Sequence, residues 1–203
     1  MLEIVKIKNI KLIIILIIFF QGHLTFGQSY KNNISLNYGI GINQIYLNGF
    51  DKKEGFKNDG TFIIGLNYQK KISKIVYLKT GLDYIRSNVY VNKGYHPYWA
   101  DSYGSWDINL LSFPVTINYT FLDYFFIESG IITDLQFNIW DCQPLETQSG
   151  FGITAGFGAI YHYKHFSLTL NSFMNYHSII QFFPYDRERL CEMGIKMELA
   201  YSF

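Results

Sequence analysis

The stretch CEMGIKMELAYSF, residues 191–203, ends the chain and decides its fold class. Its alternate residues, counted back from the end, are all apolar: Phe203, Tyr201, Leu199, Met197, Ile195 and Met193. The residues between them are small, polar or charged, and they include Lys196 and Glu198. A period of two places successive side chains on opposite faces of a β-strand. The stretch therefore predicts a strand with one apolar face that continues to an aromatic residue at the last position.

The same alternation recurs seven more times in the preceding sequence. The first apolar residues of these seven stretches are Ile34, Phe62, Val76, Leu111, Ile127, Phe151 and Phe166. No segment after residue 27 shows the 3.6-residue period of an amphipathic helix. The sequence therefore predicts an all-β fold, an eight-stranded antiparallel up-and-down transmembrane β-barrel.

The predicted connections alternate in length. The tight turns are residues 70–74, 122–124 and a turn near 164, and the connections longer than about nine residues are 48–59, 87–105, 140–148 and 179–190. Long external loops and short periplasmic turns are typical of outer-membrane barrels. Each strand reaches the roughly 9 to 11 residues needed to cross a bilayer at a tilt. Closure is required because an open edge in hydrocarbon would leave backbone groups unpaired.

The distribution of charge indicates which face meets lipid. Six charged residues lie on the polar faces of the predicted strands: Lys79, Asp83, Glu128, Asp134, Lys196 and Glu198. Glycines concentrate on the same faces, and the interior of an eight-stranded barrel has little room. We therefore expect lipid outside and a lumen plugged by a mutually satisfied network of salt bridges and hydrogen bonds, with a conduction path or proton relay as the alternative. Pro114 lies within the fourth strand and predicts a bulge or irregularity there.

The N-terminus has the order of a secretory signal. Three lysines precede an apolar run, residues 12–20, and the segment ends in Thr25-Phe26-Gly27. We expect residues 1–27 to be a cleaved signal peptide and residues 28–203 to form the barrel domain. Of the 17 basic and 16 acidic residues, three and one fall in the signal, which leaves a nearly neutral mature chain of 14 and 15. Such a chain gives no reason to expect nucleic-acid binding.

The signal, the eight alternating strands and the ending Leu199-Ala200-Tyr201-Ser202-Phe203 resemble the small outer-membrane β-barrel family that includes the PorT-like proteins and the OmpX- and OmpA-type transmembrane barrels. The resemblance covers the whole mature chain. It implies the outer membrane of a Gram-negative-type envelope, contact with outer-membrane lipid, and recognition by the barrel-assembly machinery through the strand ending at Phe203. The resemblance indicates location and architecture, and it does not indicate an activity.

The expected function is a non-enzymatic structural, adhesive or assembly/secretion-accessory role through the external loops, with an extracellular or envelope protein as partner. Two alternatives remain. One is an outer-membrane enzyme of the acyltransferase or protease type, and the other is a soluble exported barrel that binds an apolar ligand.

The second external loop, GYHPYWADSYGSW at residues 94–106, holds the candidate contacts for a ligand or glycan. Amphipathic rings favour recognition surfaces, and this loop carries Tyr95, Tyr98, Trp99, Tyr103 and Trp106. It also contains His96, Asp101 and Ser102. Their spacing does not place a nucleophile and a base in reach of each other, so no catalytic residue is predicted.

Two cysteines and two histidines complete the candidates. Cys142 falls in the third external loop and Cys191 at the external start of the last strand. Because export permits disulfides, a bond between them is a hypothesis, although sequence fixes no distance. We expect His162 to point inward and His165 to lie in a periplasmic turn, without a third ligand for a metal. No metal site and no cofactor are predicted.

Overall fold

Eight long strands close into one antiparallel ring in the computed structural model, which describes residues 32–47, 51–52, 56–91, 104–122, 124–137, 146–182 and 188–203. The strands are β1 (Asn32–Leu47), β2 (Asp51–Lys52), β3 (Phe56–Lys71), β4 (Val76–Val91), β5 (Gly104–Phe121), β6 (Phe125–Gln136), β7 (Gly150–Tyr163), β8 (Phe166–Gln181) and β9 (Glu188–Ser202). β2 is a two-residue strand that pairs with the end of β1, on the edge of β1 where β3 pairs further along. The predicted signal peptide lies outside the described residues, so its cleavage stays a prediction.

Ring closure depends on the pairing of the last strand with the first. Each long strand pairs with its neighbour along the chain, and β9 also pairs with β1 from Asn33↔Ser202 to Leu47↔Glu188. No long strand in the described residues therefore keeps an unpaired edge. The predicted eight-stranded up-and-down barrel is confirmed.

The two ends of the barrel differ. One end, called the turn end, has the short connections 72–75, 122–124 and 164–165, and there Asn32 and Phe203 exchange two backbone hydrogen bonds of 3.1 and 2.9 Å. The other, called the loop end, has the connections 48–55, 92–103, 137–149 and 182–187. The alternation of lengths is confirmed, but the first, second and fourth long connections are shorter than predicted. The strands extend beyond the stretches with alternating apolar residues, because backbone hydrogen bonding between strands needs no particular side chain.

The predicted alternation of faces is confirmed around the ring. At mid-height Ile40 of β1 pairs with Ile195 of β9, and these outward side chains are 58% and 54% exposed. Inward side chains of β1 are buried, as Asn37 shows at 1% exposure. The described residues contain no helix long and apolar enough to span a bilayer.

Rows of exposed aromatic side chains border the outward apolar surface at the turn end. They include Tyr68, Phe121, Phe125, Tyr163, Phe166 and Tyr201. A continuous exposed apolar surface of this kind is unfavourable in water. An apolar band flanked by aromatic girdles is the surface that a membrane-spanning barrel presents to lipid.

The ladder of β4 with β5 is interrupted beside Pro114, where Gly81 and Leu82 of β4 have no partners in β5, so the predicted irregularity is present but no bulge forms. The register of β4 with β5 is the same on both sides of it, from Thr80↔Val115 to Asp83↔Ser112, and Pro114 itself pairs with Ile132 of β6. Proline lacks one donor, but its fixed φ is compatible with an extended strand, so no extra residue is needed. The register shifts lie elsewhere, between Asn58 and Thr61 in β3 and between Phe151 and Ile153 in β7.

Replacing Ile40 with arginine tests the outward face. Ile40 lies near the middle of the apolar surface, so we expect I40R to lower the free energy of unfolding in vesicles by about 2–4 kcal/mol. Gln44→Arg, four residues nearer the loop end on the same face, is the matched control and should cost roughly 0–1 kcal/mol. Urea titration of both variants measures this, and equal effects would contradict the assignment of this face to lipid.

Candidate functional site

Five charged side chains, called the lysine network, form ion pairs inside the barrel between two lysines and three carboxylates. The Lys79 Nζ atom lies 2.6 Å from Glu128 Oε2 and 3.4 Å from Glu198 Oε2. The Lys196 Nζ atom lies 3.4 Å from Asp83 Oδ2. Because all five residues face inward and away from bulk water, each charge requires a partner. The expected mutually satisfied ion-pair network is therefore present.

Neutral polar groups complete the contacts of these carboxylates. The Asn37 amide donates to Asp83 over 2.8 Å, and the Ser35 hydroxyl donates to Glu198 over 2.5 Å. The Asn171 amide donates to Glu128 over 3.3 Å. Buried polar groups are stable only when they are hydrogen bonded, so the network and its neutral donors form one unit.

Two inward glycines leave room for this unit. A Cβ atom at Gly65 would overlap the Asp83 carboxylate, and one at Gly81 would overlap the Asn67 amide. A carboxylate and an amide therefore lie over the glycines of neighbouring strands, as the narrow lumen of an eight-stranded barrel requires.

A second cluster, the histidine network, lies between β6, β8 and β9. His177 Nδ1 is 2.8 Å from Asp134 Oδ2, and its Nε2 is 3.0 Å from Glu192 Oε2. All three side chains are completely buried. Both ring nitrogens face carboxylate oxygens, which suits an imidazolium that donates twice. The Ser87 hydroxyl donates to Glu192 Oε1 and contacts the Thr61 hydroxyl at 2.7 Å.

The histidine network has a serine, a histidine and acids in contact, but its geometry does not suit nucleophilic catalysis. Ser87 contacts Glu192 rather than His177, and His177 has no nitrogen left to accept a proton from a nucleophile. A nucleophile needs a base within hydrogen-bond reach and a substrate that can approach it. Because the cluster is fully buried, its geometry supports a structural role.

An apolar layer fills the lumen toward the loop end. Its buried members are Ile45, Ile63, Ile85, Val89, Ile108, Leu110, Phe173 and Leu190. The Lys196 ammonium lies 4.7 Å from the centre of the Phe173 ring, so this layer and the lysine network are in contact. This layer is interleaved with buried polar groups, because Thr61 alternates with Ile63 on β3 and Ser87 lies between Ile85 and Val89 on β4.

The segment 146–149 crosses the mouth of the barrel at the loop end. The Gln148 side chain accepts from Leu190 N at 2.9 Å and donates to Glu188 O at 3.3 Å. Its own backbone N–H donates to Gln136 Oε1 at 2.7 Å. These bonds join β6 to β9, which are not neighbours in the ring. Gln148 is completely buried, so the segment folds inward across the mouth.

The space left in the lumen is small. One polar cavity of about 30 Å³ lies near the turn end, and another of about 20 Å³ lies among the lysine network. Each holds about one water molecule. Within the described residues, no group of three or more His, Cys, Asp or Glu side chains is arranged to hold a metal ion.

Most of the predicted loop contacts fall outside the described residues. These are Tyr95, Tyr98, Trp99 and Tyr103, together with His96, Asp101 and Ser102. Trp106 is described, and its predicted position in the loop is wrong. It lies in β5, where it pairs with Val89 and packs against the apolar layer. The β4–β5 ladder extends to Val91↔Gly104, because pairing continues through a stretch that lacks regular alternation.

The remaining sequence candidates are placed as follows. Cys191 is a buried free thiol in β9, but Cys142 lies outside the described residues, so the disulfide stays a prediction. His165 lies in the tight turn after β7, as expected. His162 lies at the turn end and lines the cavity there, although its side chain is exposed.

Sequence reasoning did not identify the histidine network. His177 and Glu192 both fall on the polar faces of their strands, which was a usable signal. Nothing in the sequence pairs them, because the β7–β8 register shift and the β8–β9 register decide their distance. The apolar layer was missed because β3, β4 and β5 are apolar on both faces near the loop end, where alternation carries no information.

At the level of sequence, no family model and no curated protein matches the chain. Among solved structures, it is similar to the outer membrane protein OprG from Pseudomonas aeruginosa. The two are 13% identical over 85% of this chain and 95% of that one, with a TM-score of 0.54. A weaker likeness is to Ail of Yersinia pestis in complex with the heparin analogue sucrose octasulfate, at 12% identity, coverage of 84% and 99%, and a TM-score of 0.44. The first likeness concerns the fold, and the second is too weak to carry an argument.

The closed ring, the outward apolar surface and the likeness to OprG define the class: an integral β-barrel of the outer-membrane type. Within that class, the fold does not separate PorT-like proteins from OmpX- and OmpA-type barrels. Membership of the PorT-like group therefore stays a prediction.

Removing the Lys79 charge tests the lysine network. We expect K79M to lower the free energy of unfolding by about 3–5 kcal/mol, because Glu128 and Glu198 lose their shared cation. K79M/E128Q should recover part of that loss. Arg86→Gln is the control, since Arg86 and Asp107 form an exposed ion pair and its loss should change stability little. Similar losses for K79M and R86Q in a urea titration would contradict the network.

Proposed function

We propose that the chain is an integral protein of the Gram-negative-type outer membrane that acts through the connections at its loop end. Its role is structural, adhesive or assembly/secretion-accessory, and it is not enzymatic. The outward apolar surface supports the location, since that surface is unfavourable in water and favourable against hydrocarbon. The turn end then faces the periplasm.

The filled lumen is the observation that carries this proposal. Two charge networks and an apolar layer occupy the interior, and segment 146–149 crosses the mouth. The cavities left among the described lumen residues are too small for a solute to pass. Function then resides on the surfaces, and the loop-end connections are the parts that can reach a partner outside the cell.

We also propose the partners that the sequence suggested. Outer-membrane lipid meets the apolar surface, and an extracellular or envelope protein meets the loop end. The candidate contacts are Tyr95, Tyr98, Trp99 and Tyr103. The barrel-assembly machinery is proposed to bind the strand that ends at Phe203. The pairing of β9 with β1 supports this last point, because the C-terminal strand completes the ring.

No arrangement of the described residues favours the enzymatic alternative. The one contact group with a serine, a histidine and carboxylates is completely buried and wrongly connected for nucleophilic attack. The soluble alternative requires an apolar lumen with room for a ligand, and the two lumen cavities described each hold about one water molecule.

Membrane fractionation tests the proposed location. We expect the protein in the outer-membrane fraction, extractable only with detergent, and with a faster gel mobility before heating than after. A folded barrel resists the detergent in the gel until heat unfolds it, because its strands form a closed hydrogen-bonded ring. Recovery of folded protein in a detergent-free soluble extract would contradict the proposal.

Electrical recording tests the filled lumen. We expect the purified, folded protein to give no stepwise conductance in planar bilayers, because charged and apolar side chains occupy the ion path. A porin added to the same bilayer controls for detection, and heat-modifiable mobility of the sample controls for folding. Regular conductance steps from the wild-type protein would show a pore and overturn this part of the proposal.

A further inference from the structure

The β3–β4 turn has a composition unlike the rest of the turn end. The sequence KKISKI, residues 70–75, combines three lysines with two isoleucines. Ile72 is 38% exposed and Ile75 is 45% exposed, and Lys74 is exposed beside them. Exposed apolar side chains at the tip of a turn are unfavourable in water, whereas a basic and apolar mixture is typical of segments that lie in a lipid interface.

The register places this turn just beyond the lipid-facing aromatic row. Tyr68 pairs with Ile34, which pairs in turn with Tyr201, so these three outward residues form one row across β3, β1 and β9. Lys70 follows Tyr68 by two residues on the same face, about 7 Å further along the strand. Aromatic side chains mark the edge of the hydrocarbon, and the layer beyond them contains the lipid headgroups.

The turn is held in one conformation. The backbone N–H groups of Ile72 and Ser73 donate to Val76 O over 2.9 and 3.1 Å. The Ser73 hydroxyl oxygen accepts from the N–H groups of Ile75 and Val76 over 3.4 and 3.2 Å. The Lys71 ammonium lies 5.6 Å from the centre of the Tyr77 ring. The basic and apolar groups are therefore presented together in a fixed arrangement.

Charge at the turn end has one sign among the described residues. The β7–β8 turn adds Lys164, whose ammonium lies 5.4 Å from the centre of the Tyr163 ring. The described residues of the three turns include no acidic side chain, and Asp123 lies outside the description. A cationic surface at headgroup level attracts anionic lipids, and each lysine near such a surface changes affinity by roughly fivefold.

We propose that the turn end binds anionic phospholipid headgroups in the leaflet it faces, through Lys70, Lys71 and Lys74 of the β3–β4 turn. Ile72 and Ile75 insert at the edge of the hydrocarbon beside the bound headgroup. The lysines extend their apolar stems along that edge and hold their ammonium groups at the phosphates. This inference rests on the proposed insertion of the barrel in a membrane.

Lipid selectivity measured by electron paramagnetic resonance tests the inference. The full mature barrel is folded into phosphatidylcholine vesicles that contain a trace of spin-labelled phosphatidylglycerol or spin-labelled phosphatidylcholine. We expect the wild-type barrel to associate more strongly with phosphatidylglycerol. K70Q/K71Q/K74Q should reduce the ratio of the two association constants by about fivefold or more.

The matched control removes three lysines from the other end. K52Q/K53Q/K57Q removes the same number of positive charges as K70Q/K71Q/K74Q, but in and beside the first long connection. It should leave the ratio of the two association constants unchanged. A wild-type barrel without preference for phosphatidylglycerol overturns the inference, as does an equal loss of preference in both triple variants. Heat-modifiable mobility in every sample shows that the barrel is inserted, so a negative result would contradict the lipid site alone.

The depth of the turn gives a second test that does not depend on charge. Ile75→Trp places a fluorophore at the turn, and its emission is measured as the difference from the wild-type protein in the same vesicles. We expect quenching by lipids brominated near the headgroup, since the side chain lies at the edge of the hydrocarbon. Absence of quenching in a heat-modifiable variant places the turn in water and overturns the inference.

Discussion

Closure of the sheet by β9 against β1 is the constraint on which the rest of the structure depends. In hydrocarbon no water can satisfy a free N–H or carbonyl group, so a sheet must pair every strand. A ring of eight strands meets that requirement. It also fixes a narrow interior, and everything on the inward faces must fit there.

The narrow interior explains the choice of inward residues. Gly65 leaves space for the Asp83 carboxylate and Gly81 for the Asn67 amide, while Lys79 and His177 each lie between two acids. A charge in this environment is stable only with its partner. The lumen therefore has the properties of a packed core with ionic contacts, and its contents bear on stability rather than on transport.

Because the lumen is filled, three surfaces remain: the outward apolar surface, the turn end and the loop end. The outward apolar surface fits lipid, and the turn end carries the lysines and isoleucines of the β3–β4 turn. The loop end carries the aromatic sequence 94–106, whose greater part lies outside the described residues. The two ends therefore have different chemistry: one suits a lipid surface and the other a partner outside the membrane.

The sequence by itself determined the strands, their faces and the alternation of turns and loops, because a period of two is a local property. The ending Met193 to Phe203 was sufficient to define the outward face of β9, and the inward position of Lys196 and Glu198 followed. Which charges meet was decided only by tertiary structure, since registers between strands set the distances from His177 to Asp134 and Glu192. The same registers continue past Pro114 without a shift and put Trp106 inside β5. Hydrogen bonding between strands determined these outcomes, and the sequence of one strand does not specify its register with the next.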